Sequence, residues 1–261
     1  MTKSNIQDFI DLSGKILNED NPYSVNKKMI SDVFKKCESN KVRLTIIDSL
    51  YSTNMSLRYF GIQDIADDLD SIGGDTSIIE ESRKFLTKQE NRLSELFAKK
   101  YGIHKNGAEA GVAISLLSKY LYYVSGYNFP IYDSIVNKNI DKLYGYFADK
   151  RFSRGISLFD KIQQFSKEWD LSYDQIDNTI WLYGKISMES ISLLVNKNKY
   201  LQFSERCFKD KQGKEVNGKK LSYFYDESND SDIIRIFGSD FSKLVKIYRQ
   251  IDKYTENKKV E

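Results

Sequence analysis

Apolar residues recur at helical spacing along most of the chain. Ile6, Phe9, Ile10, Ile16 and Leu17, with Ser13 on the same stripe, predict an amphipathic helix over residues 5–17. Asn21-Pro22 marks a turn, and Val25, Met29, Val33 and Phe34 predict a second helix beyond it. The run from Val42 to Met55, carrying Leu44, Ile46, Ile47 and Leu50, fits a buried strand or a buried helix; its length and its helical neighbours favour the helix. A short helix is expected over 61–70, ended by Gly73-Gly74. Ser77-Ile78-Ile79-Glu80 has capping-box spacing and predicts a helix from there to about Lys100. The most apolar helix follows Gly107 and gives way at Gly126-Tyr127-Asn128 to Phe129-Pro130-Ile131-Tyr132-Asp133-Ser134. Helices are expected again over 155–168 and over 172–195, the latter opened by Ser172-Tyr173-Asp174-Gln175. A final helix is capped by Ser239, with Phe241, Leu244, Val245, Tyr248 and Ile251 on one face. Only two prolines and fourteen glycines interrupt 261 residues, so the pattern predicts an all-α fold without an internal repeat or a long linker.

Composition narrows the chemistry. A hydrophobic fraction of 40% and an aromatic fraction of 13% indicate a folded core. Cys37 and Cys207 are the only cysteines and His104 the only histidine. Such a chain has too few ligands for an iron–sulfur cluster, a four-cysteine zinc site or a multi-histidine centre, and no histidine-based triad is expected. No cofactor and no metal are expected. Neither a signal-peptide core nor an uninterrupted apolar run of about 18 residues occurs, which points to a cytoplasmic chain with no membrane partner.

Net charge is only +3, so any basic surface must arise by segregation. Residues 63–81 hold Asp64, Asp67, Asp68, Asp70, Asp75, Glu80 and Glu81 and no base, a face expected to avoid phosphate. Lys138, Lys142, Lys150, Arg151 and Arg154 make the ground after Asp133 basic. Residues 197–232 read as an excursion from the helical body, basic to 220 and acidic from Asp226 to Asp232. Asn217-Gly218 suggests a small hairpin near 205–225.

No glycine-rich phosphate loop and no His-Glu-x-x-His motif is present, and Gly-Ala-Glu-Ala-Gly at 107–111 is too loose for a nucleotide fingerprint. The residues left with chemistry are Lys119 and Asp133. Lys119 sits among Leu116, Leu117, Leu121 and Tyr122, where an amine is either a nucleophile held in apolar surroundings or a side chain that snorkels to water. Asp133, three residues after Pro130, is expected in the opening turn of a helix, where exposed N–H groups favour an acid; there it is a cap or a catalytic carboxylate.

An apolar helix, a turn and then Phe129-Pro130-Ile131-Tyr132-Asp133-Ser134 resembles the helix-hairpin-helix DNA glycosylase superfamily. The likeness to its 8-oxoguanine and adenine-mismatch branches is strongest in the Pro-Ile-x-Asp element. Ile46-Ile47-Asp48-Ser49-Leu50-Tyr51-Ser52-Thr53-Asn54 falls where that family places a buried helix ending in DNA-probing residues. The resemblance implies a two-lobed helical globule over 1–261, with interleaved lobes and a glycosylase-like core over 40–150. It implies excision of a damaged or modified base from double-stranded DNA by a monomer, with Asp133 and a lysine as catalytic residues and AP-lyase activity alongside. It also implies Tyr51, Asn54 and Tyr132 at the base and Lys105, Asn106, Gly107, Ser134 and Lys138 at the DNA backbone. The family lysine precedes the aspartate by about eighteen residues, which here reaches Ser115; Lys119 lies one helical turn later on the same face. Lys119 is the preferred nucleophile; Ser115 is the alternative, in an enzyme that uses water. A non-catalytic DNA-binding or protein-interaction module of the same fold is the competing function.

Overall fold

The computed structural model describes residues 5–207 and 223–260. Those residues form thirteen α-helices, α1 (Ile6–Leu17), α2 (Pro22–Lys36), α3 (Asn40–Tyr51), α4 (Gly61–Ile72), α5 (Asp75–Leu86), α6 (Leu93–Ala98), α7 (Ile114–Val124), α8 (Ser134–Ala148), α9 (Leu158–Trp169), α10 (Tyr173–Ser187), α11 (Lys197–Cys207), α12 (Asp230–Phe237) and α13 (Ser239–Val260). None among the described residues is long and apolar enough to cross a membrane. Two compact units are interleaved along the chain, one of residues 1–25, 134–156 and 175–261, the other of 26–133 and 157–174.

In the first unit α13 packs against α1, α8 and α12. Its core gathers Phe9, Ile140, Leu143, Ile180, Tyr183, Leu244 and Tyr248. Gly184 lets α10 meet α8: a Cβ there would stand 2.0 Å from Ile135 Cγ2. Arg249 gathers the acidic stretch by pairing with Asp230 at 2.7 Å. The segment expected as an excursion opens instead as α11, and its acidic end holds a 3-10 turn and the start of α12, so much of it belongs to the helical body. The hairpin expected near 205–225 falls largely on 208–222, outside the described residues.

The second unit holds the apolar run of α3, the long apolar α7, and α4 to α6 around them. The buried face of α3 mixes Leu44 and Ile47 with Arg43 and Asp48, and both charges find partners. Arg43 donates to both Asp75 carboxylate oxygens, at 2.6 and 3.0 Å, and to the Phe34 carbonyl. Asp48 accepts from the Thr53 hydroxyl and from Met55 N–H at 2.9 Å, fixing the chain just beyond α3.

The helix expected from Ser77 to Lys100 is two helices. It starts at Asp75, after Gly74, so Ser77 lies inside the first turn and caps nothing. It ends at Leu86 because Lys88 turns left-handed (φ 57°), and its N–H and that of Gln89 close back on the Phe85 and Lys84 carbonyls. Glu81 then accepts the Arg92 N–H at 2.6 Å and Asn91 caps the start of α6. Likewise α10 stops at Ser187, short of 195, at left-handed Glu189.

The acids of 63–81 do not form a bare anionic face. Asp68 pairs with Lys99 at 2.7 Å and accepts from the Tyr101 hydroxyl; Asp70 accepts from Asn40; Glu81 pairs with Lys84 at 2.8 Å. Asp64 accepts from Gly102 N–H, Asp67 from Gln63, Asp75 from Arg43, and Glu80 faces Arg83. Four of the seven, Asp68, Asp75, Glu80 and Glu81, thus face a cation, and the other three accept from neutral groups.

Candidate active site

The site grows from α7. Eight of its residues, Leu116 to Tyr123, are buried, including Ser118 and Lys119. A short hairpin leads into it from α6, with isolated bridges Lys100↔Val112 and Ile103↔Glu109. Gly102 is required there: its φ is +74° and a Cβ would stand 2.7 Å from the Tyr59 carbonyl oxygen. Lys105, Asn106 and Gly107 form the exposed tip, closed by Gly107 N–H on the His104 carbonyl (2.8 Å) and by the Asn106 side chain on Ala108 N–H (3.1 Å).

At the far end of α7, Gly126 and Tyr127 are both left-handed (φ 62° and 71°), which reverses the chain within two residues. Phe129 and Ile131 then bury against the same core, so residues 129–133 run back along the helix that they have just left. Ser118 fixes their register, its hydroxyl accepting the Tyr132 N–H at 2.9 Å. The next residue is Asp133, immediately ahead of α8 rather than within its opening turn.

This register sets Asp133 beside Lys119. Lys119 does not snorkel to water: its side chain is 3% exposed, that of Asp133 20%, and Nζ lies 3.4 Å from the Asp133 Oδ2. Nζ also donates to the Ser115 hydroxyl at 2.7 Å and stands over the Tyr51 ring, 5.4 Å from its centre. The Tyr51 hydroxyl meets that of Tyr123 at 2.7 Å. A buried ammonium is thereby held by a carboxylate, a hydroxyl and an aromatic face. At the next residue along α7, burial pushes the Tyr120 phenol up to about 12 despite nearby Arg43, and its hydroxyl donates to Asn40.

The contacts join Lys119, Asp133, Ser115 and Tyr51 into one cluster. The other residues singled out in the sequence make their contacts elsewhere. Tyr132 is half-buried, its ring edge-on to Phe159 with centres 5.8 Å apart. Asn54 is exposed and left-handed (φ 61°) at the head of a 3-10 turn. Ser134 and Lys138 are exposed on α8, in the other unit. Two positions carry roles that sequence reasoning missed. Ser118 registers the returning segment, and Tyr123 holds the Tyr51 hydroxyl; a buried serine in an apolar helix was the one available signal for the first.

Chemically, an amine and a carboxylate in contact address a single reacting atom together, one able to bond to it and the other to take a proton or face a developing positive charge. No protein family, curated protein or solved structure matches the chain.

Proposed function

We propose that the protein is a DNA glycosylase that excises a damaged or modified base, with Lys119 as nucleophile and Asp133 as its partner. The observation that carries the proposal is the buried Lys119 ammonium 3.4 Å from the Asp133 carboxylate and over the Tyr51 ring. Burying an amine beside an acid costs solvation that an apolar side chain would avoid, and such expense is concentrated at functional sites.

In the reaction the target nucleotide leaves the base stack so that its C1′ reaches the site. Lys119 gives a proton to Asp133, and its lone pair forms the Nζ–C1′ bond. The C1′–base bond breaks with its electron pair going to the base, which takes the proton from Asp133. The carboxylate, ionised again, faces the positive charge that develops at C1′. The sugar ring opens as O4′ takes a proton from Nζ, leaving a Schiff base; the Asp133 carboxylate then takes a C2′ proton, and the 3′ phosphate leaves with its bonding electron pair, which cleaves the strand. Tyr51 borders the sugar, and Asn54 and Tyr132 are assigned to the extruded base. The exposed hairpin tip Lys105 to Gly107 is assigned to phosphates, where salt dependence of binding is expected.

Borohydride trapping on a panel of lesion-bearing and modified-base duplexes tests the proposal. A covalent adduct is expected with the wild type and none with Lys119→Ala. Base release that depends on Asp133 but gives no adduct would transfer the reaction to water, with Ser115 in the nucleophile's place. DNA affinity indifferent to both residues, with neither adduct nor release, would leave a non-catalytic binding module.

A further inference from the structure

Many helix hydroxyls in this protein bond to a carbonyl three or four residues earlier; those of Ser82, Ser118 and Ser187 reach the nearer one, at 2.7 to 3.1 Å. Those of Ser13, Thr45, Thr87 and Thr255 each bond to the carbonyl one turn earlier, at 2.7 to 2.9 Å. Ser115 does not. It is the second residue of α7, so the carbonyl one turn earlier belongs to Gly111 in the hairpin. That oxygen already accepts from Tyr101 N–H (3.3 Å) and the Arg58 guanidinium (2.7 Å). The Ser115 hydroxyl is left to accept from Lys119 Nζ, at 2.7 Å the shorter of that amine's two hydrogen bonds.

An ammonium has three N–H directions. With Ser115 and Asp133 taking two, one direction remains; once Asp133 has taken a proton, rotation about the Cε–Nζ bond turns the lone pair into that direction while an N–H stays on Ser115. The 3.4 Å bond to Asp133 is too long to fix the amine alone, and the four-carbon stem of lysine supplies many rotamers.

We propose that Ser115 is a positioning residue that aims the Lys119 lone pair at the substrate carbon. This deepens the glycosylase reading and rests on it. The role belongs to the oxygen and not to the bulk of the side chain, so threonine supplies it and valine, of the same shape, does not.

The test uses a duplex with a single abasic site, which presents C1′ as an aldehyde and needs no knowledge of the natural base. Nζ adds to that carbon, the carbinolamine loses water to give an iminium ion, and borohydride delivers hydride to C1′ to make the adduct permanent. Trapping rates are compared for the wild type, Lys119→Ala, Ser115→Thr and Ser115→Val, with thermal melting and abasic-duplex affinity measured on each. Threonine is expected to trap within about twofold of the wild type and valine about tenfold more slowly, a barrier change of ~1.4 kcal/mol. Melting and affinity should match between the two. Equal trapping by threonine and valine, with the adduct still dependent on Lys119, would overturn the role of Ser115 and leave the glycosylase reading intact. No wild-type adduct, or one that survives Lys119→Ala, would sink the lysine nucleophile and the positioning role with it.

Discussion

Replacing Asp133 by alanine should destabilise the fold, whereas replacing Lys119 by methionine should not. Asp133→Ala leaves a 3%-exposed ammonium without the carboxylate that lies 3.4 Å away. At that distance and an effective dielectric of about 20, the lost attraction is roughly 5 kcal/mol. The carboxylate is one-fifth exposed, so solvent screens part of it, and a net loss of about 2–3 kcal/mol is expected. Lys119→Met keeps an unbranched side chain of similar length and removes the charge that had to be desolvated. Asp133, one-fifth exposed, can still turn to water, so the change should stay within about 1 kcal/mol in either direction. The double variant should recover most of what Asp133→Ala loses, giving a coupling of about 2 kcal/mol. Urea unfolding followed by far-ultraviolet circular dichroism measures all three, with unchanged slopes assigning midpoint shifts to stability. Both single variants should lose the trapped adduct. If Lys119→Met costs as much stability as Asp133→Ala, the ammonium is not an electrostatic burden and the reasoning from its burial fails.

Gly184→Ala should lower the melting temperature by roughly 4–8 °C, against the usual preference of helices for alanine, because the new Cβ would stand 2.0 Å from Ile135 Cγ2 and 2.8 Å from Asn139 Nδ2. An unchanged melting temperature would mean that α8 and α10 part freely. Buried Asp252 accepts from the Tyr183 and Tyr225 hydroxyls, so Asp252→Ala should cost about 3 kcal/mol by denaturation and Tyr183→Phe about 1 kcal/mol; the reverse order would contradict the network. Glu81 is held below its ordinary 4.5 by the Lys84 ammonium and the Arg92 N–H. The folded carboxylate therefore binds its proton more weakly than the unfolded one. Its contribution is complete above about pH 4.5 and is lost as pH falls through the lowered folded value. Glu81→Gln should flatten that part of the stability profile, and an unaltered acid limb would refute the assignment.

Local pattern was enough to specify much of this protein. The helical periodicity, the scarcity of proline and glycine, and the turn after Val124 are written in residue type, because each depends on neighbours within a few positions. So is the placement of Ser115 and Lys119 on one face, since four residues make about one helical turn. Where helices end was less legible: Lys88 and Glu189 stop α5 and α10 in left-handed backbone that neither residue type announces. Tertiary structure decided the rest. Nothing local says whether a lysine in an apolar helix snorkels or stays inside; the answer depends on Tyr51 of α3 covering it and on the segment that returns after Tyr127. That return is set by two left-handed residues and one hydrogen bond from Tyr132 to Ser118, and it alone brings Asp133 to 3.4 Å. The acids of 63–81 make the same point. A sequence records their charge, but Arg43 and Lys99 pair with Asp75 and Asp68, and Tyr101 bonds to Asp68, through contacts between segments about 30 residues apart that no periodicity encodes.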